Sequence, residues 1–251
     1  MIGAGLSLTA CATLPLPSPE RQPQSLPSAE LMQILMKATA EGNLPKIEKL
    51  KLNAETLSAS NVNGMTPLML AAYRDHAPVV QYLLSKKVKL NSQDDQGLNA
   101  LHYAALKGGP RVIELLIDAG MDLNTPNGDG LTSLMLAASS GRKETLEALL
   151  RRGPDINKAA PDGWTALFLT VSRRRPDLTR LLIKAQADCN QADMNGDTPL
   201  HIAAGDGNIA AIKVMLESGC NASLRNKSSL RPVDYALRGG NKEAAQLLRA
   251  L

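Results

Sequence analysis

Aromatic side chains are nearly missing from this 251-residue chain, which has one Trp, one Phe and four Tyr, 2% of the sequence. Its interior must therefore be built from Leu, Ala, Val, Ile and Met. Small, uniform side chains suit thin layers that repeat better than one deep core. Cysteine is scarce as well: Cys11, Cys189 and Cys220, with no CxxC spacing. That excludes the usual structural zinc site, and the odd number argues against a fully paired disulfide framework. No apolar run approaches the roughly 20 residues that a helix needs to cross a bilayer. The net charge is +4 and the pI about 9.0, short of the clustered basic face of a nucleic-acid binder. No nucleophile elbow, P-loop, dinucleotide loop or metal-ligand cluster occurs. Gly205-Asp206-Gly207 reads as a turn between helices rather than a phosphate loop. No catalytic residue, cofactor or metal is expected, and the chain is not expected to be an enzyme.

What the sequence does contain is a period. Gly64-Met65-Thr66-Pro67-Leu68 returns as Gly97-Leu98-Asn99-Ala100-Leu101, Gly130-Leu131-Thr132-Ser133-Leu134, Gly163-Trp164-Thr165-Ala166-Leu167 and Gly196-Asp197-Thr198-Pro199-Leu200. A degenerate sixth copy is Ser229-Leu230-Arg231-Pro232-Val233. Every step is 33 residues, with no insertion. Small pairs follow in register (Ala71-Ala72, Ala104-Ala105, Ala137-Ala138, Ala203-Ala204), then Gly108, Gly141, Gly207 and Gly240, then apolar pairs such as Leu83-Leu84 and Leu149-Leu150. One period upstream, Leu35, Ala38 and Gly42 fall in the same register.

Each part of the unit has a local physical reading. Thr66 and Thr198 stand where an N-cap hydroxyl accepts an orphan backbone N–H. Pro67 and Pro199 follow at the first helical position, where a missing N–H costs nothing. The Ala pair lets helices approach closely, and the later Gly can take the left-handed conformation that ends the first helix. Stretches such as Asn127-Gly128-Asp129-Gly130 are turn chemistry.

The 33-residue period with its Thr-Pro-Leu strings resembles ankyrin repeats. The resemblance covers residues 28–251 and implies an all-α solenoid of helix-turn-helix units joined by short β-hairpin turns. About seven units are expected, the first and last being polar caps with one continuous apolar interior between them. Capped ends argue against end-to-end stacking, so a monomer is expected. The family's usual role implies a protein-binding module. His102 and His201 occupy the His of the Thr-Pro-Leu-His string, which in the family bridges loop backbone groups. His76 is read as solvated in a helix–helix turn. Cys189 and Cys220 fall at apolar, non-equivalent positions of adjacent units and are read as buried thiols acting as small hydrophobes.

In the family, partners dock on a concave face made by turn tips and first helices. Mapped onto this sequence, that face contains Met65, Tyr73, Arg74, Leu98, Leu106, Lys107, Leu131, Trp164, Ser172, Arg173, Asp197 and Asp206, together with Asn63, Gln96, Asp129, Ser139, Ser140, Asp162 and Asn195. Such a mixed row fits another protein as partner rather than nucleic acid, which would need a positive stripe. The unit beginning at Gly163 departs from the others: Thr170-Val171-Ser172-Arg173-Arg174-Arg175-Pro176 replaces Ala-Ala-x-x-Gly. The three cations read either as a solvated helix end that suits the dipole or as an anion-recognising patch. Trp164 reads either as an exposed hot-spot anchor or as packed on the next turn.

Residues 1–11 end in Leu8-Thr9-Ala10-Cys11, which resembles the bacterial lipobox behind a short apolar signal segment. A lipid on Cys11 is the reading this favours; a plain apolar N-terminus is the alternative. Residues 12–27 contain Pro15, Pro17, Pro19, Pro23 and Pro27 and read as a linker. Residues 28–251 are then a repeat domain tethered at the outer membrane and facing the periplasm. An intracellular adaptor or secreted effector without lipid is the alternative.

Overall fold

The computed structural model describes residues 28–107 and 109–249. The leader with Cys11, the Pro-rich segment 12–27 and Gly108 lie outside the described residues.

Among those residues helices come in pairs, one pair per period. Counting units from residues 28, 61, 94, 127, 160, 193 and 226, unit 1 holds Ala29–Ala40 (α1) and Leu44–Lys49 (α2), then the single turn Ala54–Leu57 (α3). Units 2 to 4 hold Pro67–Tyr73 and Ala77–Ser85 (α4, α5), Ala100–Lys107 and Pro110–Asp118 (α6, α7), and Ser133–Ser140 and Lys143–Arg151 (α8, α9). Units 5 to 7 hold Ala166–Ser172 and Pro176–Lys184 (α10, α11), Pro199–Gly205 and Ile209–Glu217 (α12, α13), and Pro232–Arg238 and Lys242–Arg249 (α14, α15). First helices pack on first helices of the next unit and second on second, most thinly between α9 and α11, so each unit touches only its neighbours. The chain is thus an all-helical solenoid.

The cap chemistry follows the sequence with one exception. Thr66 Oγ1 accepts the Met69 amide at 3.3 Å, and Pro67 opens the helix. At Thr198 the hydroxyl instead lies 2.9 Å from His201 Nδ1. The turns expected as β-hairpins are tighter than that. Each closes on two backbone bonds, such as Asn61 N–H to Met65 O at 2.9 Å and Gly64 N–H to Asn61 O at 3.0 Å, and none forms a strand among the described residues.

The apolar interior also differs from expectation. Its fully buried residues fall into two contiguous clusters, one running from Leu35 to Ala187 and the other from Val171 to Leu248. They meet inside unit 5, where Ile183 and Cys189 pack at the margin of both. The physical reason is polar substitution. Where other units place Ala71, Ala104 or Ala203, unit 5 has Thr170. Where others place Val80, Ile113, Leu146 or Ile212, it has Thr179. Both threonines are fully buried, and their hydroxyls lie 3.1 Å apart.

Candidate functional site

The concave face is built on the tips, and the tips are built by one side chain each. Asn61 Oδ1 accepts the amides of Asn63 and Met65, both at 3.0 Å. Asp94, Asn127, Asp193 and Asn226 clasp the following residues in the same way. Gly64 and its repeats take the left-handed conformation this requires. Neighbouring tips are then tied to each other. Gly128 N–H donates to Gln96 O at 2.9 Å, Met194 to Asp162 O at 3.0 Å and Lys227 to Asn195 O at 3.0 Å.

Unit 5 breaks both devices. Ala160 cannot clasp, so Asp162 Oδ1 accepts only the Trp164 amide, at 2.9 Å. Pro161 has no N–H to offer the preceding tip. Its ring instead sits so close to Gly130 that a Cβ there would lie 2.3 Å from Pro161 Cδ.

The expected face residues separate into three groups. Arg74, Lys107, Arg173 and Asp206 are exposed, and none is in an ion pair among the described residues. Met65, Tyr73, Leu106, Leu131, Trp164 and Ser172 are half-buried and line the floor. Leu98 and Asp197, expected on the same surface, are buried. Leu98 joins the apolar cluster. Asp197 accepts from Tyr235 Oη at 2.7 Å and from Asn226 Nδ2 at 2.7 Å. Neither offers a side chain to a partner.

Within the floor, Tyr73 packs edge-on to Tyr103 with ring centroids 5.7 Å apart. Lys107 Nζ lies 5.1 Å and Arg74 Cζ 6.0 Å from the Tyr73 ring centroid, so both cations border one aromatic. Trp164 stacks on Phe168 at 5.5 Å and an interplanar angle of 22°. Phe168 lies in α10 of the same unit, so half-buried Trp164 packs on its own first helix and is neither fully exposed nor seen on the next turn.

The arginine run is not one patch. Arg174, in the left-handed conformation at φ 54°, donates to Asp206 O at 2.5 Å in the next unit. Arg175 lies across Gly141 of the previous unit, where a Cβ would sit 2.9 Å from its guanidinium carbon. Only Arg173 is left to the concave face.

The histidines are structural. His102 Nδ1 accepts the Asn99 amide and its Nε2 lies 3.0 Å from Thr125 O. His201 bridges Thr198 and Leu230 O in the same way. Burial holds His102 below its ordinary value, against the opposing carbonyl of Thr125. His76, read as solvated, is half-buried with Nε2 3.0 Å from Ala40 O. It occupies the place from which Asn208 and Asn241 also reach the preceding unit's carbonyls, Val171 O at 3.0 Å and Gly205 O at 2.7 Å.

Two features escaped the sequence reading. One is the pair of tyrosine–carboxylate contacts, Tyr103 on Asp94 and Tyr235 on Asp197. Burial first, and then Asp197, pushes the Tyr235 phenol up to about 12; burial and Asp94 raise Tyr103 as well. Both phenols stay protonated donors. The other is covalent. Cys189 and Cys220, expected as free thiols, form a disulfide with Cα atoms 5.7 Å apart. A signal for it was present. The two are 31 residues apart, the step that joins Ser58 to Lys89, Asn124 to Asp155, Asn157 to Asp188 and Asn190 to Asn221 through inter-unit hydrogen bonds. Residues one such step apart face each other across a unit boundary although they are not repeat-equivalent.

Among the described residues no group of three or more His, Cys, Asp and Glu is placed to hold a metal ion. No described helix is long and apolar enough to cross a membrane.

Comparison with known proteins agrees with this architecture. A family model described as ankyrin repeats (3 copies) matches residues 35–127, 109–193 and 178–250. The ankyrin repeat domain of Bcl-3, described as a unique member of the IkappaB protein family, is similar at 29% identity and a TM-score of 0.79; the match covers 86% of this chain and 97% of that one. The human ASB11 ankyrin repeat domain shares the fold at 23% identity and a TM-score of 0.73, covering 85% of this chain and 96% of its own. No protein of curated function matches the sequence.

Proposed function

The chain belongs to the ankyrin-repeat family, whose fold is a protein–protein interaction module, and we propose that it is a non-enzymatic binding protein whose partner, another protein, docks along the concave face of units 2 to 5. The observation that carries this reading is the combination found there. Met65, Tyr73, Leu106, Leu131 and the edge of Trp164 give a half-buried apolar floor. Arg74, Lys107 and Arg173 line one margin, and none of them is in an ion pair among the described residues. Asp95, Asp129 and Asp162 stand exposed at the tips of the other. Aromatic and arginine anchors inside a polar rim are the composition of a protein interface. The rigid tips cost little ordering entropy on binding.

The partner is scaffolded, inhibited or protected in a bacterial envelope. There residues 1–11 act as a lipoprotein signal, Cys11 carries lipid, and residues 12–27 tether the repeat domain 28–251 in the periplasm. The disulfide supports an oxidising compartment, and the lipobox-like Leu8-Thr9-Ala10-Cys11 supports the tether.

A photo-cross-linker placed at Leu106, Ser139 or Arg173 should trap the same partner in native cells, while one at Lys143 or Lys213 on the second helices should not. Arg74→Glu with Lys107→Glu and Arg173→Glu should lose that band with helical content intact. Trapping from the second helices instead would move the site to the other face. Labelled fatty acid should enter the wild type and not Cys11→Ser; equal labelling would remove the tether.

A further inference from the structure

The meeting of the two apolar clusters and the position of the disulfide coincide. In a stack where each unit touches only its neighbours, cooperation between the two ends passes through every interface in turn, and the weakest one decides where the stack divides. Unit 5 is the weak point by composition. Thr170 and Thr179 replace aliphatic side chains in its interior and satisfy each other instead, which removes apolar area from the layer that must join both sides. Its tip has lost the clasp and, through Pro161, the hydrogen bond to unit 4. The C-terminal cluster begins here, at Val171, and continues through α12 to α15.

Between unit 5 and unit 6, α10 packs on α12 and α11 on α13, and the hydrogen bonds added to that packing are mostly peripheral. Arg174 reaches Asp206 O, Asn208 reaches Val171 O, Met194 meets Asp162 O, the Asn221 amide donates to Asn190 Oδ1 at 2.8 Å, and Arg180 pairs with Glu217 at 3.2 Å on the outer surface. Exposed pairs of the last kind contribute little. Across this same boundary runs the disulfide, from half-buried Cys189 in unit 5 to buried Cys220 in unit 6. No other disulfide occurs among the described residues.

We infer that the Cys189–Cys220 bond is a redox-sensitive staple: oxidised, it makes units 6 and 7 open only together with the rest of the stack, and reduced, it leaves them as a separate, less protected end. The inference is independent of what binds the concave face. The chemistry is thiol–disulfide exchange with an external dithiol. The Sγ–Sγ bond breaks, two S–H groups form with two electrons and two protons from the dithiol, and the dithiol leaves as its own disulfide. Loss of the cross-link returns loop entropy to the opened state of the segment it closes.

Peptide-resolved hydrogen exchange on the full chain tests this, with the protein oxidised, then reduced with dithiothreitol, then reoxidised. Reduction should speed exchange of α12 to α15 by roughly 10²-fold, leave α4 to α9 unchanged, and reverse on reoxidation. Cys189→Ala with Cys220→Ala should behave as the reduced protein. A repacked seam, Thr170→Ala with Thr179→Ile, should make the reduced protein open as one block again. Equal acceleration in all units, no acceleration anywhere, or two free thiols per chain at this pair in the oxidised protein would each overturn the inference.

Discussion

Replacing Thr145 with valine should stabilise the protein. Thr145 lies in α9, is fully buried, and its hydroxyl has no hydrogen-bond partner. The same place in units 2, 3, 5, 6 and 7 holds Val79, Val112, Leu178, Ala211 and Ala244, and only the first cap differs, with Lys46, so the layer between the caps is otherwise aliphatic. A buried donor left unsatisfied costs about 1–3 kcal/mol, and valine keeps the shape while replacing the hydroxyl with a methyl group. Both residues are β-branched, so helix propensity barely changes. A gain of about 1–2 kcal/mol follows. In a domain of this size it corresponds to roughly 3–6 °C in the melting midpoint. Urea and thermal unfolding followed by circular dichroism measure it, with Thr145→Ser as control. Serine keeps the unsatisfied hydroxyl and loses a methyl group, so it should destabilise. A valine variant no more stable than the wild type would mean that the hydroxyl is in use or that the layer cannot take the methyl, and the reasoning about this interior would fail.

Two further outcomes follow from the geometry. Burial keeps His102 neutral to lower pH than in the unfolded chain, so its contribution is complete above the unfolded value of about 6.5 and is lost as pH falls through the lower folded value. Urea midpoints at pH 7.5 and 5.5 should therefore diverge more in the wild type than in His102→Gln, and equal slopes would refute the assignment. Gly109→Ala should destabilise by about 1–3 kcal/mol, because its Cβ would lie 2.0 Å from Asp75 Oδ1. Asp75→Gly, which also relieves the positive φ of 58° at that residue, should rescue most of the loss in the double variant.

The architecture was legible because its causes are local. Tip glycines, Thr-Pro helix starts and the histidine strings are short-range chemistry repeated at one spacing, so Thr66, Gly141 and His102 could be placed from their neighbours alone. Leu98 and Asp197 were misplaced for the opposite reason. Their repeat position lies at the tip base, where exposure depends on the next unit: Asp197 is covered by Asn226 and Tyr235, residues 29 and 38 positions away. His76 was missed in the same way, because its partner is the Ala40 carbonyl one unit back. The disulfide joins positions that are not repeat-equivalent, and reading only 33-residue steps hides the 31-residue one.

Most links between units also have a direction, although Arg174 to Asp206 O, Gln93 to Pro126 O and Arg180 to Glu217 run the other way. The amides of Gly128, Met194 and Lys227, the amides of Asp155, Asp188 and Asn221, and the side chains of His76, Asn208 and Asn241 all lie in the later unit, and the groups they meet lie in the earlier one. A chain leaving the ribosome extends at about 5–20 residues per second, so a new 33-residue layer emerges every few seconds. When it does, the acceptors it needs already stand on the layer before it. Growth from the amino end is therefore templated step by step, whereas a fragment begun in the middle would start with donors that have nothing to meet.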